Sequence, residues 1–248
     1  MIPPPARVSN DEAEQRSSSG GVAARAALVA AAISLGTARS AVAATGTLLV
    51  YLHVAVKQRA FQSLLGAGLP GVTATAVGRI ADFERALQTA PDAVLTLPVV
   101  LGTKGLSPAL RGTARGAAEE RYSLLGAGAV PEPTRVATVG ALDILGRDGT
   151  NRFVRGLVGA QVEVERVTKI EDLLPLLQMQ RAETVLLPAR LVPELRAASR
   201  LQLAERVLDR LVGLPAVAGT GTNASSVLGA ISKMPKELAA LVGVDAWT

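Results

Sequence analysis

The sequence predicts an α/β fold made of two three-layer lobes of unequal size, and three observations carry that prediction. From Thr47 onward, short apolar runs alternate with amphipathic stretches, the pattern of βαβ units around a largely parallel sheet. Residues 135–189 show it best: RVATVGALDIL, a Gly-rich turn, NRFVRGLV, VEVERV, TKIEDLLPLLQMQRAE and TVLLPA. A Gly- and Pro-rich interruption at Gly126–Pro133 divides the alternation into two blocks, as a lobe boundary would. The plan is an N-terminal segment 1–43, a first lobe 44–125, a second lobe 126–212, and a return to the first lobe over 213–248.

Residues 1–24 are rich in Pro, Ser, Gly and charge and read as disordered. Arg25 precedes the apolar run AALVAAAISLG, and Ala41-Val42-Ala43 stands before Ala44. A basic region, a short apolar region and a small-residue site describe a secretory signal cleaved near Ala43. The run is too short to span a bilayer, and Arg39 interrupts the stretch after it. The same letters also suit a buried, alanine-rich helix.

TLLVYL (47–52) reads as a strand. Ala60, Phe61, Leu64 and Leu65 mark a helix face that ends at Gly66. VTATAV (72–77) is a second strand, and Ile80, Phe83 and Leu87 mark a short helix before Pro91. AVLTLPVV (93–100) reads as a strand entering a loop at Gly102–Gly105. Residues 106–121 are loosely patterned and read as a helix with Gly breaks or a crossover, and RYSLLGAGAV as a strand. After the central unit, helices are expected from Val192 and over Leu201–Val212, then a strand at 214–218 and C-terminal helices. Pro175 inside an apolar helical run implies a kink or a late helix start.

Composition narrows the chemistry. Only 2% of the residues are aromatic, although half are apolar, so base-stacking surfaces are scarce. The net charge of +5 comes from scattered Lys and Arg without a basic run, so nucleic acid is not expected as a partner. The absence of cysteine excludes disulfides and thiol catalysis. One histidine, His53, precludes a His-based metal cluster. No P-loop, G-x-S-x-G or H-E-x-x-H occurs. Neither an enzyme nor a cofactor or metal is expected.

Parallel sheets bind ligands beyond the carboxyl ends of their strands, which selects the candidate residues. Gly146-Arg147-Asp148-Gly149-Thr150 offers backbone N–H groups, a hydroxyl and a guanidinium at a helix start, suited to an oxyanion. The alternative is a plain helix start capped by Asp148 or Thr150. His53 follows the first strand as a ligand donor or as a structural hydrogen-bonder. Thr103 and Lys104 follow the 93–100 strand, and Pro188-Ala189-Arg190 ends the 184–187 strand. Gly219-Thr220-Gly221-Thr222-Asn223-Ala224 imitates a dinucleotide fingerprint, but too little chain follows it to build the second strand and its acid.

The phrases VGALDILGRDGTNRFVRGLVG, VTKIEDLLPLLQMQRAETVLLPA and ELAALVGVDAW resemble the phosphate/phosphite/phosphonate group of ABC-transporter substrate-binding proteins. TLLVYLHVAVKQRAFQSLL and PDAVLTLPVV are similar to the first lobe of the same type II periplasmic-binding fold. The resemblance spans about residues 45–248. It implies a periplasmic monomer that captures a small oxyanion by hinge closure and presents it to a permease, with no stable membrane insertion after signal cleavage. It also implies a cleft taking His53, Ala55, Val99, Thr103, Lys104, Arg147, Asp148, Gly149, Thr150 and Pro188. The sequence departs from that family in having only two tyrosines, Tyr51 and Tyr122, and an apolar first-strand loop. The alternative function is a degenerate module for protein contact or sensing, whose mark would be a cleft of Leu, Val and Ala without convergent donors.

Overall fold

The computed structural model describes residues 46–248, all within one compact unit; the signal and the disordered segment expected over 1–43 lie outside the described residues. The first apolar run forms β1 (Gly46–Tyr51), buried except at Thr47. α1 (Gln58–Gly68) turns Phe61, Leu65 and Gly68 inward, running past the expected stop at Gly66. β2 (Val72–Val77) alternates buried and exposed residues, as befits a sheet edge, and α2 (Ile80–Leu87) buries Phe83. β3 (Ala93–Thr96) is buried throughout. β1 pairs in parallel with both β2 and β3, and strands covered on both faces read as continuous apolar runs.

Two expectations fail in the next stretch. The strand read over 93–100 stops at Thr96 because Pro98 opens a helix, α3 (Pro98–Thr103). Proline suits that first helical position, where its missing N–H is not needed. Residues 106–121 contain no helix, and the crossover is the reading of this stretch that the structure shows, since the chain passes there from the first sheet to the second. They form β4 (Leu110–Thr113), a tight turn closed by the Ala114–Ala117 bridge, and the start of β5 (Glu119–Ala127). Arg115 and Gly116 take positive φ there, 52° and 80°, the local signal that loose helical periodicity obscured. Gly112 is needed in β4 because a Cβ would press on Val244 and lie 2.7 Å from the Pro215 carbonyl.

The second sheet is built from β5, β6 (Thr138–Leu142), β7 (Glu163–Val167), β8 (Thr184–Pro188) and β9 (Leu203–Gly213). Its order is β7-β6-β8-β5-β9. β6 runs parallel to β7 and β8, and β5 antiparallel to β8 and β9. α4 (Gly146–Leu157), α5 (Leu173–Gln178) and α6 (Val192–Ala198) connect them. α5 starts late: a 3-10 turn at Ile170–Asp172 precedes it, and Pro175 sits in its first turn, where backbone N–H groups have no helical acceptor. The helix expected over Leu201–Val212 is β9. Its leucines fit a helix face, but pairing along β5 outweighs local propensity, and the ladder accommodates a register shift between Arg121 and Ser123.

The chain then returns. β10 (Ala216–Gly219) inserts between β3 and β4, antiparallel to both. α7 (Ala224–Ile231), α8 (Lys236–Val242) and β11 (Ala246–Trp247) follow. The first sheet is therefore ordered β11-β4-β10-β3-β1-β2. The Gly219–Asn223 loop is held by Asp92, whose backbone carbonyl accepts from Thr220 and Gly221 and whose Oδ1 accepts from the Asn223 N–H. The chain crosses between sheets ahead of β5, not in the Gly126–Pro133 stretch, and crosses back between Gly213 and Ala216. One apolar core spans both sheets, with Leu48, Val50 and Leu95 joined to Leu125, Leu173 and Leu187.

Candidate functional site

The carboxyl ends of β1, β3, β6 and β8 converge on a cavity between the two sheets. Tyr51, Leu52 and His53 come from β1, Thr96 and Leu97 from β3, Leu142 and Ile144 from β6, and Pro188 and Arg190 from β8. Tyr122 from β5 and Phe153 from α4 complete the wall. The free space is about 30 Å³, close to one water's share of the liquid. Aromatic rings order the wall. Phe83 stacks on Tyr51 at 5.1 Å, Tyr51 meets His53 edge-on at 5.6 Å, and Tyr122 meets Phe153 edge-on at 5.7 Å.

Most polar groups here are spent on one another. The Tyr51 hydroxyl donates to the Asp143 carbonyl at 2.8 Å, a bond from the first sheet to the second. Burial first, and Asp143 and Glu84 after it, push the Tyr51 phenol up. The Thr96 hydroxyl donates to the Tyr51 carbonyl at 2.7 Å. Asp143 accepts from the Thr150 hydroxyl on Oδ1 at 2.9 Å and from Arg166 on Oδ2 at 2.8 Å. Arg190 pairs with Glu120; burial raises the Glu120 carboxyl and the guanidinium pulls it back. Arg190 also lies over Gly243, the left-handed residue capping α8 (φ 90°). That guanidinium of the second sheet's lobe thus meets a helix end of the first.

His53 is the exception. The residue keeps some exposure, but its Nε2 is fully buried and has no hydrogen-bond partner. Burial lowers its pKa to about 4, with Asp143 opposing, so the imidazole is neutral at pH 7.

Of the residues that the sequence points to, the structure brings His53, Pro188 and Arg190 to the cavity. Ala55 is exposed, and Val99 lies beside the cavity-lining Val100 without lining it. The Thr103 hydroxyl donates to the Val100 carbonyl at 2.8 Å, and Lys104 pairs with Glu84 at 2.5 Å. Arg147 and Asp148 are exposed on the first turn of α4. Gly149 is packed beneath Leu145, 2.6 Å from where its Cβ would sit. Buried Thr150 accepts from the Leu145 N–H at 3.0 Å and donates to Asp143, the work of a helix start. Tyr51, Thr96, Tyr122 and Phe153 join the wall without having been expected there. Tyr51 and Thr96 carry a signal as strand ends of β1 and β3, whereas nothing local shows that the strand read over RYSLLGAGAV joins the second sheet, which is what brings Tyr122 to the wall.

Tyr51→Phe removes a single bond between the sheets. It is expected to cost about 1 kcal/mol and to lower the melting temperature by roughly 2–4 °C for a chain of this size, read by thermal denaturation at pH 7. An unchanged melting point would mean that the bond contributes nothing to closure.

Among the described residues no helix is long and apolar enough to cross a membrane, and no group of three or more acids and histidines could hold a metal. No family model matches the chain, and no curated protein matches its sequence. Solved structures do match. The periplasmic VFT2 domain of Bordetella pertussis BvgS superposes with a TM-score of 0.54 at 14% identity, covering 88% of this chain and 96% of that one. The arginine-bound form of truncated ArgBP from T. maritima gives 0.51 at 15% identity, over 76% of this chain and 94% of the other. The fold is that of the Venus flytrap, or type II periplasmic-binding, proteins: two mixed α/β sheets flanked by helices.

Proposed function

We propose that this chain is an exported solute-binding protein that closes two lobes on a small solute and presents it to an ABC-transporter permease. The observation that carries the reading is the cavity itself. It lies where four strands from two sheets end, the place at which open α/β sheets hold ligands. The two sheets are then the lobes, and the crossings before β5 and after β9 the hinge. Closure follows if the solute touches both walls, because only the closed state makes the full set of contacts. The chain acts in the periplasm as a monomer and binds without catalysis. For the oxyanion that the sequence resemblance implies, Arg190 is the one cation in the wall among the described residues, and an anion would have to draw it from Glu120.

The test is a thermal-shift panel on the untagged chain with phosphate, phosphite, methylphosphonate, sulfate, small carboxylates, arginine and small amides. A ligand at a hundred times its Kd adds about 2.7 kcal/mol, a rise of several degrees. A shift with one compound and not its chemical neighbours supports a solute receptor. A flat panel from a cooperatively folding chain favours the second reading, a sensing or protein-contact module. The self-pairing of the wall's polar groups supports that second reading.

A further inference from the structure

Resting on the solute-binding reading, we infer that the solute is uncharged, with an apolar body and one polar group that hydrogen-bonds to His53 Nε2.

The first argument is polar accounting. Buried polar atoms in folded proteins nearly always have partners. Among the described residues four buried side-chain atoms lack one: His53 Nε2, Asn151 Oδ1, Thr184 Oγ1 and Trp247 Nε1. Only His53 belongs to the cavity wall. His53 therefore brings to the cavity wall a buried nitrogen for which the protein supplies no partner.

The second argument is charge. Each ionic group at the cavity is already matched. Arg190 is neutralised by Glu120. The carboxylate of Asp143, at the end of β6, is neutralised by Arg166 and accepts from Thr150 on its other oxygen. The imidazole, held well below the usual histidine range by burial, adds no charge at neutral pH. An anion taken into this site would lose its hydration without gaining a counter-charge, a cost that buried ions avoid only when paired. Withdrawing Arg190 to meet it would leave Glu120 unpaired instead.

The third argument is the rest of the wall. Leu52, Leu97, Val100, Ile144 and Phe153 present hydrocarbon, which a neutral molecule with an apolar body covers without penalty. The closed cavity, about 30 Å³, holds no more than a water, so such a molecule enters with the two walls parted. A neutral imidazole nitrogen either accepts or donates according to its tautomer. Small amides and alcohols supply both roles, so they match either form.

His53 is the sole histidine in the chain, so imidazole nitrogen NMR on the untagged, histidine-¹⁵N-labelled full chain observes this residue alone. The probes are acetamide, propanamide and 1-propanol against inorganic phosphate, methylphosphonate and acetate. The expected result is that at least one neutral probe stabilises the protein and moves the Nε2 resonance, while the anions do neither. In His53→Leu, with the fold verified by circular dichroism, affinity for that probe falls at least tenfold. If that variant does not fold, the wild-type resonances decide alone. An anion that stabilises the chain and drives His53 to imidazolium at pH 7 overturns the inference and leaves solute binding standing. So does a neutral probe that binds with Nε2 unmoved. Silence from both classes overturns the solute-binding reading, and the inference with it.

Discussion

Arg190→Ala is expected to cost about 3 kcal/mol of folding stability at pH 7, the lower end of the range for breaking a buried ion pair from one side. The lower end applies because the Arg190 and Glu120 side chains retain 25% and 13% of their exposure, so solvent screens the orphaned charge in part. The loss has a pH signature. Burial raises the Glu120 carboxyl and Arg190 lowers it; without the guanidinium the raising effect acts alone. The variant's deficit is therefore greatest with Glu120 ionised and shrinks as pH falls and that carboxyl takes a proton. Urea denaturation at pH 7 and at pH 5 measures both points. Adding Glu120→Gln to Arg190→Ala should recover part of the loss, because a neutral amide tolerates the site better than an unpaired carboxylate. A deficit below about 1 kcal/mol, the value of an exposed pair, would show that the contact is a surface interaction.

Lowering the pH from 6.5 to 4 should remove about 3 kcal/mol of stability through His53 alone. Its folded pKa, about 4, lies below the value of 6.5 for a free imidazole. In the window between them the unfolded chain binds a proton that the folded chain refuses. Stability is thus full above pH 6.5, declines as pH falls to 4, and stops declining once both states are protonated. Carboxylates titrate at the lower end of the same range, so the informative quantity is the difference between wild type and His53→Gln. Parallel stability curves for the two proteins would place the imidazole in contact with water and refute its burial.

The parts of the fold legible in the sequence are those whose burial is local. β1, β2 and α2 announce themselves because each apolar run meets its own flanking helix within a few residues. β9 does not, because LAERVLDRLVG places leucines at helical spacing and only β5, some eighty residues earlier, makes a strand of it. Non-local pairing likewise conceals β4, and although RYSLLGAGAV reads as a strand, its place in the second sheet, which brings Tyr122 to the cavity wall, rests on pairing with β8 and β9. The strand-end rule finds His53 and Pro188. At the Gly146–Thr150 turn the letters do not reveal that the Thr150 hydroxyl is bonded to both Leu145 and Asp143. The same rule reaches Arg190, the wall's cation, as the last residue of Pro188-Ala189-Arg190, but the 3-10 turn at Ala189–Leu191 that carries its side chain back toward the cavity has no mark in the letters.

The insertion of β10 between β3 and β4 has a consequence for the order of assembly. The second sheet is continuous in sequence, from Glu119 to Gly213, and has all its strands once that stretch has emerged. The first sheet lacks an interior strand until residues 216–219 are available, and an edge strand until 246–247. During synthesis, β3 and β4 have nothing between them until almost the whole chain exists. Wiring of this kind makes the second sheet a unit that can pair on its own and leaves the pairing of β3 and β4 with β10 as a later step.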